Sequence, residues 1–549
     1  MNIDNSYHSE GVLAMKLKNN GEQGFVLASI ISISFALTII VASIVAISMT
    51  ETRLSARADA VNTARDGTEA LTNELYALLL KTNVEGLEQT LAGRSYNPTI
   101  DHQGWYKYSP VLGWEHCGDQ DYRLTCYRVA KIKTTSSQAD GSGIDSARVE
   151  FLIETVSRSK CNSMPVAGEK GSCIYTRSQV KFRERQFFDN LVMSETELLA
   201  PALYPNTEGK YTPANAANNC NPQANKFTGL NCLYSKYQSR SSSGSNAGVK
   251  DVVNGPIHTN DEHIYVCSRT GQKVEFSGRV SSVPSTGQPV FKKQNPTICG
   301  DETEGATTKV LTSPLKLPTA TATLKNKAAQ DGSQYDVVGN ATIYLGGGAS
   351  SPAVQINGTS FPYPSNGVIY VQGDVTVQGT VNGGLTIYST KTIKIIGNIV
   401  YADKVLNPTD DDGFEYSNDV LGLIAQKDIE ITCAVGVRCP VRNVDAVMLA
   451  IDGIIGNPNW KNSPVGTSPP KLTVFGSMSS YYRGTFGSIS SLDGSFKHGW
   501  VKNFQYDERL SSLQPPNFLR PVNATWSKSG FTEIVCDNYC WSKNWNWNK

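Results

Sequence analysis

The chain has 549 residues, with 50 basic side chains against 49 acidic and only 18% of residues charged. That balance excludes a global electrostatic attraction to nucleic acid or anionic lipid, and the length excludes a single ordinary domain. With 47 glycines and 12 cysteines, all of the latter beyond residue 116, the composition points to β structure with many turns, formed in an oxidising compartment.

Residues 1–24 are polar, with Lys16 and Lys18 approaching the stretch Gly24-Phe25-Val26-Leu27-Ala28-Ser29. From Phe25 to Thr50 there is no charge, proline or further glycine. At 1.5 Å per residue this run makes roughly 39 Å of helix, enough to cross a bilayer. Leu54, Ala58, Val61, Ala64, Leu71, Leu75 and Leu78 continue the helical spacing, with Arg53, Arg57, Asp59, Arg65, Asp66, Glu69 and Glu74 between them. The pattern predicts one long helix over 25–83, greasy all round in its transmembrane part, 25–50, and amphipathic afterwards. A secretory signal has a shorter apolar core and a small-residue cleavage site after it; here the small residue, Gly24, comes first. That order resembles the class III leader of type IV pilins and pseudopilins. The resemblance implies that 1–24 is a leader cut by a prepilin peptidase between Gly24 and Phe25, and that Phe25 is then methylated. It also implies a single inner-membrane span with a cytoplasmic N-terminus, whose helix packs against other pilins. An uncut signal anchor is the alternative. Most pilins carry glutamate five residues into the mature helix, whereas this chain has Ser29. At that filament register position Ser29 offers no charge to a neighbouring subunit, which implies a tip or initiating subunit.

Residues 84–200 read as a small α+β headpiece. Tyr122–Thr134, Ala147–Val156 and Cys173–Phe187 have strand composition, with alternation at Val149, Phe151, Ile153 and at Val180, Phe182. Arg177, Lys181, Arg183 and Arg185 recur at near-alternate positions; they form either a stripe for DNA phosphates or a solvated strand face. Residues 201–250 form a polar connector, including Ser239–Ala247. The cysteines fall in near pairs: Cys117 with Cys126, Cys161 with Cys173, Cys220 with Cys232, Cys267 with Cys299, Cys433 with Cys439 and Cys536 with Cys540. Disulfides between these neighbours are expected, each contributing about 2–4 kcal/mol. The alternative, zinc, is disfavoured by the absence of a paired CxxC and the scatter of the six histidines.

From about 251 to 520, short Val/Ile-rich segments alternate with glycine or asparagine turns, most clearly from Gly367 to Val400. Val375, Val377, Val381, Leu385, Ile387, Ile393, Ile395 and Ile399 are the expected inward residues. Strands so short, broken by glycine every six or so residues, share a core when stacked as rungs of a β-solenoid; a sandwich, with strands every 8–12 residues, is the alternative. Asn254-Gly-Pro-Ile-His-Thr-Asn260, Gly367-Val-Ile-Tyr-Val-Gln-Gly-Asp-Val, Leu421-Gly-Leu-Ile-Ala, Leu472-Thr-Val-Phe-Gly-Ser, Tyr481-Tyr-Arg-Gly484, Tyr506-Asp-Glu-Arg-Leu510 and Pro515-Pro516 resemble an uncharacterised extracellular module. It accompanies pilin-type N-termini in large minor pilins of the PilX and ComZ type. The resemblance implies a solenoid carried on a pilin headpiece and a role in DNA uptake, which the near-neutral charge of this chain does not favour.

The tail, 521–549, is rich in tryptophan. Trp526, Trp541, Trp545 and Trp547 either cap the open end of the solenoid or stack on sugars or bases. Asp410, Asp411, Asp412, Glu415 and Asp419 crowd one loop; Asp410, Asp412 and Asp419 are candidate calcium ligands, although the spacing matches no EF-hand and solvated acidic loops are common. His258 and Asp261 lack a nucleophile in a suitable context, and His258 with Asn260 is expected to satisfy turn hydrogen bonds between rungs. No phosphate loop, dinucleotide fingerprint or metal-binding helix is present, so no cofactor and no enzymatic activity are expected. The chain thus reads as an α+β pilin-like N-terminal part followed by a mainly-β, β-solenoid-like domain, with DNA or a glycan as candidate ligands. A membrane-anchored adhesin-like protein that does not assemble is the second reading.

Overall fold

The computed structural model describes residues 23–81, five strands between 106 and 184, and most of 185–536. Cys117, Cys161, Cys173, Cys299, Cys433, Cys540, Asp410, Asp412, Trp541, Trp545 and Trp547 lie outside the described residues. Helix α1 spans Gln23–Lys81 without interruption and contains Gly24, Phe25 and Ser29. Its residues from Ile30 to Asp59 are exposed, including Ile33, Phe35, Leu37, Ile44 and Ile47. The hydroxyls along this apolar run are turned back onto the helix. Thr38 Oγ1 donates to Ser34 O (2.8 Å), Ser43 Oγ to Ile39 O (2.7 Å) and Thr50 Oγ1 to Ala46 O (2.8 Å). These donors need no water, which suits a helix in lipid.

Five strands follow: β1 (Tyr106–Ser109), β2 (Gly113–His116), β3 (Cys126–Thr135), β4 (Arg148–Ser159) and β5 (Ile174–Glu184). They form an antiparallel sheet in the order β2-β1-β3-β4-β5, closed at the β5 edge by the strand Trp526–Cys536. Helix α1 lies alongside β4, β5 and Trp526–Cys536. The beginning of the tail is therefore not a cover for the β-rich region. It pairs antiparallel with β5, Trp526 opposite Glu184 and Cys536 opposite Tyr175. The strand finds ladder partners on the open edge of β5, which a cap would leave bare.

Between β5 and Trp526–Cys536 the chain builds a large, mostly parallel sheet. Strand β6 (Val192–Thr196) belongs to it rather than to the first sheet. Two long parallel ladders run through it. In one, Ile369, Ile387, Leu423, Met448, Met478, Val192, Ile257 and Val280 succeed one another in register. In the other, Ile343, Val377, Ile395 and Ile431 do the same, and Ile399 leads to Val444, Val474, Phe504, Val253 and Phe276. Every one of these side chains is buried, as are all eight residues expected to point inward. Each short strand would leave its apolar face wet if isolated; in register with its neighbours it joins one continuous hydrophobic cluster.

The two ladders differ on the outside. On the first, Phe187 and Phe188 of a short 3-10 turn and the returning segment 507–520 close the outer face. Thr386 Oγ1 donates to Pro516 O, Ser477 Oγ to Asn190 O (2.5 Å) and Tyr506 Oη to Phe188 O (2.9 Å). A Cβ at Gly422 would stand 2.8 Å from both Phe518 Cδ2 and Pro515 Cβ, so only glycine admits this close approach. On the second ladder the outer face is left partly exposed.

A smaller hydrophobic cluster lies at one flank, around Leu198, Tyr204, Ala216, Ile454 and Tyr482. Thr212 caps the short helix Pro213–Asn219 there by accepting from Asn215 N (3.2 Å). Directly after it, buried Cys220 is bonded to Cys232. Cys267 and Cys439 are also disulfide-bonded, and among the described residues no cysteine is free.

Candidate functional site

Four features carry chemistry: the bare apolar helix, two sealed polar clusters, a buried histidine line, and the open outer face. The helix is the least compensated. Within Ile30–Gly67 it is long and apolar enough to cross a membrane, and none of its most apolar window is buried in the rest of the protein. Exposing that surface to water is strongly unfavourable, at about 25 cal/mol per Å². The sequence expectation of an anchor thus acquires a structural counterpart, an α1 whose first half is exposed from Ile30 onward. Gly24, Phe25 and Ser29 are helical in backbone at its start.

The first polar cluster sits where β6 slots between the strands Lys471–Tyr482 and Ile257–Thr259. Lys502 Nζ lies 2.7 Å from Asp251 Oδ2, and both side chains are about 95% buried. The Asp251 carboxylate also accepts from Lys502 N (3.1 Å) and Gln238 N (2.8 Å), while Lys502 Nζ donates to Lys236 O (3.1 Å). Arg483 stacks over the Tyr237 ring at 4.2 Å and faces Glu197 at 4.0 Å. Burial raises the Glu197 carboxyl, lowers the Lys502 ammonium and pushes the Tyr237 phenol up to about 12. The second cluster is built by the Tyr506–Leu510 stretch. Arg509 makes a two-pronged bond to Asp507, through Nε to Oδ1 (3.0 Å) and Nη2 to Oδ2 (2.8 Å). The same guanidinium donates to Ser417 O (3.2 Å) and Asp419 O (3.1 Å). Asp419, a candidate calcium ligand from the sequence, accepts from Gly383 N (2.6 Å) and Asp403 N (3.0 Å), and burial raises its carboxyl. Its lone pairs serve the backbone here. Among the described residues no group of three or more His, Cys, Asp or Glu side chains stands ready for a metal ion.

His258 forms a third polar line. Its Nδ1 meets Ser281 Oγ at 3.1 Å, its Nε2 meets Asn260 Oδ1 at 2.9 Å, and Asn260 Nδ2 donates to Glu195 Oε2 at 2.7 Å. Asn260 Oδ1 also accepts from Leu315 N (2.9 Å), so the amide oxygen faces the ring and Nε2 carries the proton. Ser281, His258 and Asn260 line up in the order of a nucleophile relay, but Ser281 Oγ also donates to Ile257 O (3.0 Å), Ser281 is 1% exposed and His258 is fully buried, so no substrate reaches them. Desolvation, with the charges of Arg185 and Arg279, pushes the imidazole down to about 3. The sequence reading of His258 and Asn260 as turn-satisfying groups matches this geometry. Ser281 was missed because its partner lies one rung away, where linear spacing gives no signal.

The remaining predicted residues are dispersed. Arg177, Lys181 and Arg183 lie along β5, opposite Val156, Leu152 and Glu150 of β4. Cys126 opens β3 and Cys536 ends the last strand. Sequence reasoning did not single out the open face of the second ladder. It displays Thr342, Tyr344, Thr376, Gln378, Lys394, Ile396, Asn398 and Glu430, continuing into Asn443, Thr473 and Asn503.

The whole defines a class of architecture: one long apolar N-terminal helix, an antiparallel sheet beside it, and a large β-rich region inserted before that sheet's last strand. No protein family matches the chain, and no curated protein does. A search of solved structures finds the competence-associated pilin ComZ from Thermus thermophilus, at 13% identity and a TM-score of 0.26, over 87% of this chain and 98% of that one.

Proposed function

We propose that this chain is a minor pilin or pilin-like tip subunit of a type IV pilus or related filament. In this reading α1 is inserted in the inner membrane, freed of residues 1–24 behind Gly24 and methylated at Phe25, then packed with the helices of other pilins. The stacked ladders form a β-solenoid displayed outside the cell, and no covalent chemistry is performed. The observation that carries the reading is α1 itself: an unbroken helix whose exposed apolar half follows Gly24 and whose other end lies on an antiparallel sheet. Ser29 supports a tip or initiating position, because it presents no carboxylate for a neighbouring subunit's amino group. Sheared filaments from cells producing the chain are expected to contain it, and a Gly24→Asp variant is expected to stay in the membrane fraction at full length. A wild-type chain that never leaves the membrane fraction would favour the second reading, an adhesin on a permanent anchor.

A further inference from the structure

We propose that the open outer face of the second ladder is a docking surface for an uncharged polysaccharide. The proposal deepens the reading of the β-rich region as a contact domain and stands on a surface α1 takes no part in. Four observations carry it.

The first is the contrast between the two faces. Phe187, Phe188, Pro515, Pro516 and Phe518 seal the first ladder, whereas among the described residues nothing comparable covers Thr342, Lys394, Ile396 and Asn398, which are exposed. The second is composition. Across successive rungs the open face offers planar amides and hydroxyls in register: Asn443, Thr473 and Asn503 in one row, Gln505 and Asn254 in the next. Asn503 Nδ2 donates to Thr473 Oγ1 (3.1 Å) and Ser277 Oγ to Asn254 Oδ1 (3.0 Å), so each amide is held by its neighbour and keeps further donors or acceptors for a ligand. Neighbouring strands are about 4.8 Å apart, which spaces these groups for a chain of repeating hydroxylated units up to Phe475 and Asp445, where Lys404 covers the face.

The third observation is an aromatic platform. Tyr344, 46% exposed, stands in register with Gln378, and Ile396, 39% exposed, lies on the next strand at a bulge. A phenol ring next to an amide gives a sugar ring an apolar surface to lie on and a partner for its hydroxyls. The fourth is charge. Lys394 is 3.9 Å from Glu430, and Lys250 is 2.7 Å from Glu275 and 3.5 Å from Glu304. Lys471 adds one cation at the margin. Phosphate-driven DNA binding needs a row of uncompensated cations, and here the amines of Lys394 and Lys250 are matched with carboxylates.

The test is affinity electrophoresis of the detergent-solubilised full chain in native gels cast with a neutral glucan, a neutral mannan, a neutral galactan or duplex DNA. Retardation by at least one neutral polysaccharide and not by DNA is expected. Tyr344→Ala, and separately Gln378→Ala with Asn503→Ala, should weaken it roughly tenfold, equivalent to about 1.4 kcal/mol. Glu262→Ala, exposed at a turn outside this face, should leave it unchanged, and thermal melts of the variants should stay near that of the wild type. Retardation by none of the three neutral polysaccharides, retention by DNA alone, or equal loss in the Glu262 variant would overturn the proposal. Any of these results leaves N-terminal processing and filament assembly untouched, so the two readings fail separately.

Discussion

Residue-scale energetics in this protein are dominated by charges removed from water. Asp251 is held by an ammonium and two backbone N–H groups. Asp251→Ala leaves all three donors buried and is expected to cost about 3–5 kcal/mol in a denaturant melt of the full chain. Lys502→Met removes the ammonium but leaves Asp251 two of its donors, so its cost should be smaller; the reverse ranking would contradict the assignment of the hydrogen bonds. His258 gives a pH signature. Its imidazole, pushed down to about 3, binds a proton more weakly folded than unfolded. Its contribution to stability is therefore complete above about pH 6.5 and is lost as pH falls toward 3. Between pH 7 and pH 4 the wild type should lose about 3 kcal/mol more than His258→Gln. The raised carboxyls of Glu197 and Asp419 act in the opposite sense, since the folded state then holds the proton more tightly. Comparison with the variant, rather than the bare wild-type profile, isolates the histidine.

At the scale of elements, the stacking of short strands decides which substitutions matter. Leu423 lies in an unbroken inward row between Ile387 and Met448. Leu423→Ala is expected to cost about 2–5 kcal/mol, whereas Thr376→Ala on the open face should stay within about 0.5 kcal/mol; paired urea melts check both. Much of this was legible in the sequence. Alternation around Val375-Thr376-Val377 and Ile393-Lys394-Ile395 identifies the inward residues, and the break at Gly24 with the apolar run behind it identifies the helix. What was not legible is long-range pairing. β6, read with the headpiece by proximity, enters the large sheet beside Met478 and Ile257 because its apolar Val192 fits a row whose members lie more than 60 residues away. Trp526–Cys536 returns to β5 across some 340 residues, and no local period announces such a return. The Tyr506–Leu510 stretch was conspicuous as a word, but the bond of Arg509 to the carbonyls of Ser417 and Asp419 is visible only in the fold.

For the whole molecule, the β-rich region leaves the antiparallel sheet after β5 and re-enters it at Trp526, opposite Glu184. Its two connections therefore emerge side by side at one end of that sheet, and a load on the region enters the sheet through two adjacent strands. The apolar surface of α1 finds no cover among the described residues, as suits a helix that meets lipid or other helices. The central claim is that this helix is trimmed behind Gly24 and joins a filament. Mass spectrometry of the N-terminal peptide from the natural product tests it most directly. The account predicts a peptide beginning at a methylated Phe25; a peptide beginning at Met1, in a protein absent from filament preparations, would contradict it.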